Sequence, residues 1–378
     1  MQSVRTRILL AAATAAAAVG ALLGGATPAT ATAVDTDTVT ATATTLCGQY
    51  DKQTIQNGRY IVQNNRWGTE NTNQCIEVTE SGFRISQQDG VKPTTGAPIS
   101  YPSVFWGCHY DNCTNDFKPV RASSSDFPKV GTKVSMTYPS TGTYNGSYDI
   151  WFDPTERRGG QNTGLEIMVW LKKTGAVQPF GTKVATKTIA GVSYDVWTGR
   201  QYTGNGDFNV VSYVRTTASG TADFLVKDFY NDALLRKCAV NVPCADTSWY
   251  LTSVQAGFEP WSGGTGLSLT NFTAGLPVVI TCAAAFKVVN SWPGGFQAEV
   301  TVSNTGTGSS TTWQNQLTWP GTQKISDLWN ATGTQTGATL TANNATWNGP
   351  LAVGASTQYG MVVQGATASP KSLTCKNA

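Results

Sequence analysis

Leu165-Glu166-Ile167-Met168-Val169-Trp170 alternates strictly. Side chains along a β-strand point to opposite faces in turn, so Leu165, Ile167 and Val169 form one face and Glu166, Met168 and Trp170 the other. The first set suits a core between packed sheets. The second set combines a carboxylate, a thioether and an indole. Similar short runs recur at Arg59 to Gln63, Lys133 to Tyr138, Tyr148 to Phe152, Asp207 to Arg215 and Phe296 to Ser303, separated by Gly, Asn, Ser, Thr and Pro. No long helical period appears. The pattern predicts an all-β protein of sandwich or barrel form. Phe224 to Tyr230 fits part of a short helix and a pair of tight turns about equally.

Two more runs resemble the first. In Ala256-Gly257-Phe258-Glu259-Pro260-Trp261, Glu259 and Trp261 share a face, and Pro260, which has no backbone donor, predicts a bulge or strand end. In Tyr148-Asp149-Ile150-Trp151-Phe152, Asp149 and Trp151 share a face. Asp149 lies close enough in sequence to Glu166 for neighbouring strands to bring them together. Two glutamates facing each other across one cleft are what glycoside hydrolysis requires, and indoles stack on the C–H faces of sugars. Taken singly, each glutamate also fits a solvated strand face, and Met168 and Trp170 fit a core equally well. A non-catalytic polysaccharide-binding or adhesion protein is therefore the alternative of another class.

Composition narrows the chemistry. Charged residues make up 13% of the 378, about half the usual share. His109 is the only histidine, which excludes a histidine-rich metal site. Arg5 and Arg7 precede an Ala-rich apolar stretch that ends near Ala31-Thr32-Ala33, the form of a secretory signal over residues 1–33. Without those two arginines, the 26 basic side chains fall to 24 against 23 acidic ones. Such a balance offers no basic stripe for nucleic acid, and no later segment is apolar enough to span a membrane. Residues 34–45 are rich in Thr and Ala and read as a spacer. Eight cysteines fit an exported, oxidised chain, but they allow about a hundred pairings and spacing alone fixes none. Cys108–Cys113 and Cys238–Cys244 would close tight loops, and Cys47–Cys75 would pin an N-terminal strand. Cys282–Cys375 would staple the ends of a separate module, with roughly 4–5 kcal/mol from the closed loop. Zinc is disfavoured because neither short pair has the CxxC spacing.

Several ordered motifs carry a family resemblance. They are Val62-Gln63-Asn64-Asn65-Arg66-Trp67-Gly68, Trp106-Gly107-Cys108-His109-Tyr110-Asp111-Asn112-Cys113-Thr114, Tyr148-Asp149-Ile150-Trp151, Glu166 to Trp170, and Ser253 to Trp261. The span 46–273 resembles glycoside hydrolase family 12, compact endoglucanases with a β-jelly-roll fold and a concave cleft. The resemblance implies Glu166 as nucleophile, Glu259 as acid/base and Asp149 as the carboxylate supporting the nucleophile. It places Met168 beneath the scissile-site sugar, Trp67 and Asn65 in the non-reducing part of the cleft, and His109 at the cleft side. Trp151, Trp170 and Trp261 join these as candidate substrate-binding residues, because they share strand faces with the carboxylates. The implied reaction cuts internal β-1,4-glucosidic bonds with retention and uses no cofactor or metal. Xyloglucan or mixed-linkage glucan is the alternative substrate.

After a short joint at 274–280, charges thin out, and five of the twelve tryptophans fall in the remaining span. Asn290-Ser291-Trp292-Pro293-Gly294-Gly295-Phe296, Val302 to Gly306, Leu328-Trp329-Asn330-Ala331 and Asn344 to Gly349 make 281–378 similar to carbohydrate-binding module family 2. The resemblance implies a small β-sandwich closed by the terminal cysteine pair. Trp292, Trp329 and Trp347 then form a row that lies on cellulose, and Trp313 is core. The expected protein is a secreted, monomeric, two-module enzyme whose partner is β-1,4-glucan.

Overall fold

The computed structural model describes residues 44–69, 72–115, 117–204 and 206–377. The expected signal segment and most of the expected spacer lie outside these residues.

Alternation turns directly into layers. Leu165, Ile167 and Val169 are fully buried between two sheets. The larger sheet takes the order Thr182–Ile189, Val192–Gln201, Phe208–Arg215, Leu165–Lys173, Thr143–Asp153, Tyr250–Ser262, Ser103–His109, Tyr60–Gln63, Lys52–Ile55. All these pairings are antiparallel except that of Leu165–Lys173 with Phe208–Arg215. The second sheet has six strands, ordered Thr44–Leu46, Gln74–Thr79, Gly82–Gln88, Ser268–Gly275, Gly131–Thr137, Thr221–Leu225. Between them pack Val78, Phe83, Val134, Tyr148, Ile150, Tyr213, Val254 and Phe258. Register shifts interrupt the Thr143–Asp153 strand at Thr143/Tyr144, Gly146/Ser147 and Trp151/Phe152. Bulges bend a strand and add twist, so three of them in the central strand curve the large sheet. Pro260 sits at the Thr143/Tyr144 irregularity, two residues from its strand's end.

The single α-helix of the described residues spans Val226–Ala233. Val226, Phe229, Tyr230 and Ala233 are its buried face, at helical spacing. Phe224 and Leu225 instead finish the preceding strand. No helix of the described residues is long and apolar enough to cross a membrane.

The C-terminal sandwich has two four-stranded sheets: Cys282–Trp292, Gly295–Asn304, Ser356–Gln364, Lys324–Trp329, and Ala331–Thr336, Thr339–Asn344, Trp313–Thr318, Ser372–Asn377. Its core holds Phe296, Val300, Trp313, Leu317, Trp319, Tyr359 and Met361. Trp313 is buried as expected, and its Nε1 donates to the Asn348 carbonyl at 2.9 Å. All eight cysteines are paired, as 47–75, 108–113, 238–244 and 282–375.

Both connecting segments are shorter than their composition suggests. Thr44 and Thr45, expected in the spacer, pair with Val78 and Glu77, because Leu46 is buried and Cys47 is bonded to Cys75. The joint expected over 274–280 loses Ala274 and Gly275 to the preceding strand. Pro277 to Thr281 is then held by Thr307 and Thr305. Thr307 N donates to Val279 O at 2.8 Å, Thr307 Oγ1 to Pro277 O at 2.7 Å, and Thr305 N to Thr281 O at 3.0 Å. Those threonines lie too far along the chain for the joint's own composition to reveal them.

The loop carrying Asn65 and Trp67 is fixed by a buried amide pair. Asn64 Nδ2 donates to Gly48 O and Gln74 O, and Gln74 Nε2 donates to Asn64 O and Oδ1. Ser100 Oγ donates to Gln74 Oε1 at 2.6 Å. Removing one partner strands the others without water. Asn64→Ala is expected to cost about 1–3 kcal/mol in urea unfolding. A variant as stable as the wild type would contradict this reading of the pair.

Candidate active site

One face of the curved sheet gathers the carboxyl groups. Asp149 pairs with Met168 and Trp151 with Glu166 on one side of the central strand; Asp149 pairs with Gln255 and Asn145 with Glu259 on the other. Cross-strand partners project to the same face. Asn145, Ser147, Asp149, Trp151, Glu166, Met168, Gln255 and Glu259 thus belong to one surface. The Glu166 and Glu259 strands are separated by the Asp149 strand alone. Asp149 is 6% exposed and Glu259 8%, and Glu166 is the most open of the three.

Charge repulsion reaches across this surface. Burial raises the Glu166 carboxyl to about 8, and the charge of Glu259 adds to the rise. Burial raises Glu259 to about 7, opposed by a hydrogen bond from Asn145 Nδ2 to Glu259 Oε2 at 2.5 Å. Asp149 is pushed well above the usual carboxylate range, first by burial and then by the charges of Glu166 and Glu259. Hydrogen bonds from Tyr101 and Ser147 oppose that shift. The site therefore retains protons at neutral pH, and a retained proton between two carboxyls is the raw material of acid–base chemistry.

The other expected residues fall at varied depths. Trp67 is 47% exposed, while Asn65 beside it is buried with φ 38°. Trp151 is half-buried, its ring 5.2 Å from that of Phe208. His109 packs edge-on to Phe105 and Tyr110, and Gln255 Nε2 donates to its Nδ1 at 3.1 Å. Burial lowers the imidazole to about 4, so it is neutral at ordinary pH. Trp170 and Trp261 differ from expectation. They are 2% and 4% exposed and pack with Met168, Val177, Phe208, Val210 and Val214. Trp261 Nε1 donates to Gly96 O at 2.8 Å. Both indoles lie on the carboxylates' side of the sheet but are buried there, in one cluster with strand residues and with Val177 from a loop.

Four polar residues escaped sequence reasoning. Asn145 and Ser147 continue the Asp149–Trp151 alternation backwards, so extending the period by two steps would have found them. Gln255 likewise precedes Glu259 at even spacing. Tyr101 comes from a separate loop. Its hydroxyl donates to Ser147 O at 3.1 Å and lies close enough to the Asp149 carboxyl to favour its ionised form, and no local pattern marks it.

The sequence model of glycosyl hydrolase family 12 matches residues 58–277, more than half the chain. The chain belongs to glycosyl hydrolase family 12. A cellulose binding domain model matches residues 282–377. A native structure described as an endo-1,4-β-glucanase, CelB2, is 43% identical, with a TM-score of 0.55, covering 62% of this chain and 99% of that one. A probable cellulase, Cel12b, of Mycobacterium tuberculosis is 40% identical over 143 residues, 38% of this chain and 87% of that protein. A xyloglucan-specific endo-β-1,4-glucanase A of Emericella nidulans is 32% identical over 230 residues, 57% of this chain and 84% of that protein. The family 12 domain is thus an endoglucanase at the level of its family, joined to a polysaccharide-binding domain.

In that binding domain, outward-facing tryptophans rest on glycines. A Cβ on Gly360 would lie 2.2 Å from the Trp329 ring, and one on Gly295 would lie 2.8 Å from Trp292 Nε1. Gly295 and Gly360 belong to adjacent strands of one sheet, with Gly360 opposite Glu299. The two rings are therefore set about 13 Å apart along the strands. Trp292 is 44% exposed, Trp347 is 66% exposed and Trp329 is half-buried. Asn348 Nδ2 donates to Asn330 O at 2.8 Å, which ties the Trp347 loop to the turn after Trp329.

A carboxyl whose folded pKa is raised from 4.5 to about 8 contributes stability that is fully present below pH 4.5 and lost as pH rises through 8. Glu166→Gln removes that loss. The variant is expected to melt higher than the wild type at pH 8, with the gain shrinking toward zero at pH 4. Melting followed by circular dichroism checks this; an equal gain at both pH values, or a loss at pH 8, would contradict the buried, repelled carboxyl.

Proposed function

We propose that the chain is a secreted, retaining endo-β-1,4-glucanase acting on cellulose and soluble β-glucans. The observation that carries this reading is the register that puts Glu166 and Glu259 on one sheet face, on the two strands flanking the Asp149 strand. In the first step the ionised Glu166 carboxylate attacks the anomeric carbon, and Glu259 gives its proton to the departing glycosidic oxygen. In the second step Glu259, now a carboxylate, takes a proton from water. The water oxygen attacks the same carbon and releases Glu166, so configuration is retained.

The surroundings fit both steps. Burial leaves Glu166, at about 8, holding its proton more firmly than Glu259, at about 7. The first step needs the reverse order, which the neutral Asp149 carboxyl favours by stabilising a Glu166 carboxylate beside it. The Asn145 N–H stabilises the carboxylate that Glu259 becomes after delivering its proton. The neutral His109 and Gln255 supply polar atoms without adding charge. Trp67 provides an open ring for the non-reducing part of the chain. In the binding domain, Trp292, Trp329 and Trp347 offer flat apolar faces to a glucan surface at little entropic cost. Holding the catalytic domain there raises its local concentration on the polymer. The alternative, a xyloglucan-specific enzyme, draws support from the relative bearing that name.

Product analysis on cellulose derivatives, mixed-linkage glucan and xyloglucan, with anomers followed by NMR, separates these readings. Release of the β-anomer from internal β-1,4 bonds is expected, and initial release of the α-anomer would overturn the two-step mechanism. Glu166→Gln and Glu259→Gln are each expected to lower kcat/KM by roughly three orders of magnitude or more. For the binding domain, Trp292→Ala with Trp347→Ala is expected to abolish retention on microcrystalline cellulose in a pull-down. Undiminished retention would refute the platform.

A further inference from the structure

Phe180 lies on the same sheet face as the catalytic carboxyls, on the side away from Trp67. The register fixes this placement. Glu166 pairs with Val210, and Val210 pairs with Gly199. Gly199 therefore faces the same surface as Glu166, two strands and roughly 10 Å away. A Cβ on Gly199 would lie 2.6 Å from Cε1 and 2.9 Å from Cδ1 of Phe180. The ring thus occupies the space that a side chain on Gly199 would need. Gly181, at φ 92°, turns the chain tightly just after Phe180, and a Cβ there would lie 2.2 Å from Thr198 O. Two glycines are needed for the ring to settle against the sheet.

The ring remains 42% exposed. Aromatic rings also rest over Gly275 (Trp106) and Gly146 (Tyr138), but those rings are packed against the core. An open ring seated on glycine recurs at Trp292 on Gly295 in the binding domain. Half-buried Trp197 is the neighbour of Gly199 on the same face, opposite Ser212, which pairs with Met168. Trp197 and Gly199 thus continue the rows of Met168 and Glu166 across the sheet. Trp67 follows the Tyr60–Gln63 strand, on the other side of the carboxyls in the sheet order.

We propose that Phe180, seated on Gly199 and flanked by Trp197, is a platform for the glucosyl units on the leaving-group side of the scissile bond. This rests on the reading of Glu166 and Glu259 as the catalytic pair and of Trp67 as the non-reducing end. A ring face there adds binding energy to substrates long enough to reach it. Substrates whose leaving group is a small phenol gain nothing from it.

The test compares kcat/KM on cellopentaose with that on an aryl β-cellobioside. Phe180→Ala is expected to lower the ratio of the two about tenfold. Gly199→Ala, which displaces the ring, is expected to lower it similarly, and Phe180→Trp to preserve it, with melting temperatures checking that each variant folds. An unchanged ratio in Phe180→Ala overturns the platform. Calorimetry separates failure of the platform from failure of the catalytic reading. Cellohexaose binding to Glu166→Gln is expected to weaken about tenfold when Phe180→Ala is added. Equal affinities overturn the platform whatever the hydrolysis assays give.

Discussion

Three buried carboxyls on one sheet face repel one another, and the catalytic domain is organised around keeping them together. Burial makes each of Asp149, Glu166 and Glu259 harder to ionise; the charges of Glu166 and Glu259 add to the effect on Asp149, and that of Glu259 to the effect on Glu166. Water would relieve that repulsion, yet little reaches Asp149 or Glu259. Packing between the sheets holds the strands against this repulsion. Leu165, Ile167, Ile150, Val254 and Phe258 anchor the opposite faces of the same strands in the core. A strand cannot turn its carboxyl away without exposing its apolar partners, because the two faces are locked by the period of two.

Much of this was legible in the sequence, for a physical reason. Period-two alternation ties a carboxylate's direction to a buried aliphatic neighbour, so reading Ile167 as core also reads Glu166 and Met168 as cleft. Alternation reveals a side but not a depth. Trp170 and Trp261 share the carboxylates' side, but packing with Val177, Phe208, Val210 and Val214 buries them, and alternation within one strand does not show that packing. Tyr101 reaches Ser147 and Asp149 from such a loop. The strand at Thr44–Leu46 was hidden for another reason: its composition matches a spacer, and only pairing with Ile76 to Val78 makes it structure. The helix was half-seen, since the spacing of Val226, Phe229, Tyr230 and Ala233 extends past the Phe224–Tyr230 window.

The two domains solve different problems with one device. A glycine beneath an aromatic ring lets the ring lie against the sheet with its other face open. In the binding domain this sets Trp292 and Trp329 on one outer surface. In the catalytic domain the surroundings decide the outcome: Trp106 and Tyr138 are packed away, and Phe180 is not. The scarcity of charge in the binding domain suits the same end, since a neutral polymer gives no return for dehydrating ions.

The account turns on a carbon–oxygen bond forming between one of these glutamates and a sugar. Incubation with a 2-deoxy-2-fluoro-β-cellobiosyl fluoride slows release of that intermediate enough to trap it. Peptide mass spectrometry then locates the label. The account predicts one fluorocellobiosyl group on Glu166. A label on Glu259, or turnover of cellulose derivatives with no glycosyl-enzyme formed, would contradict it.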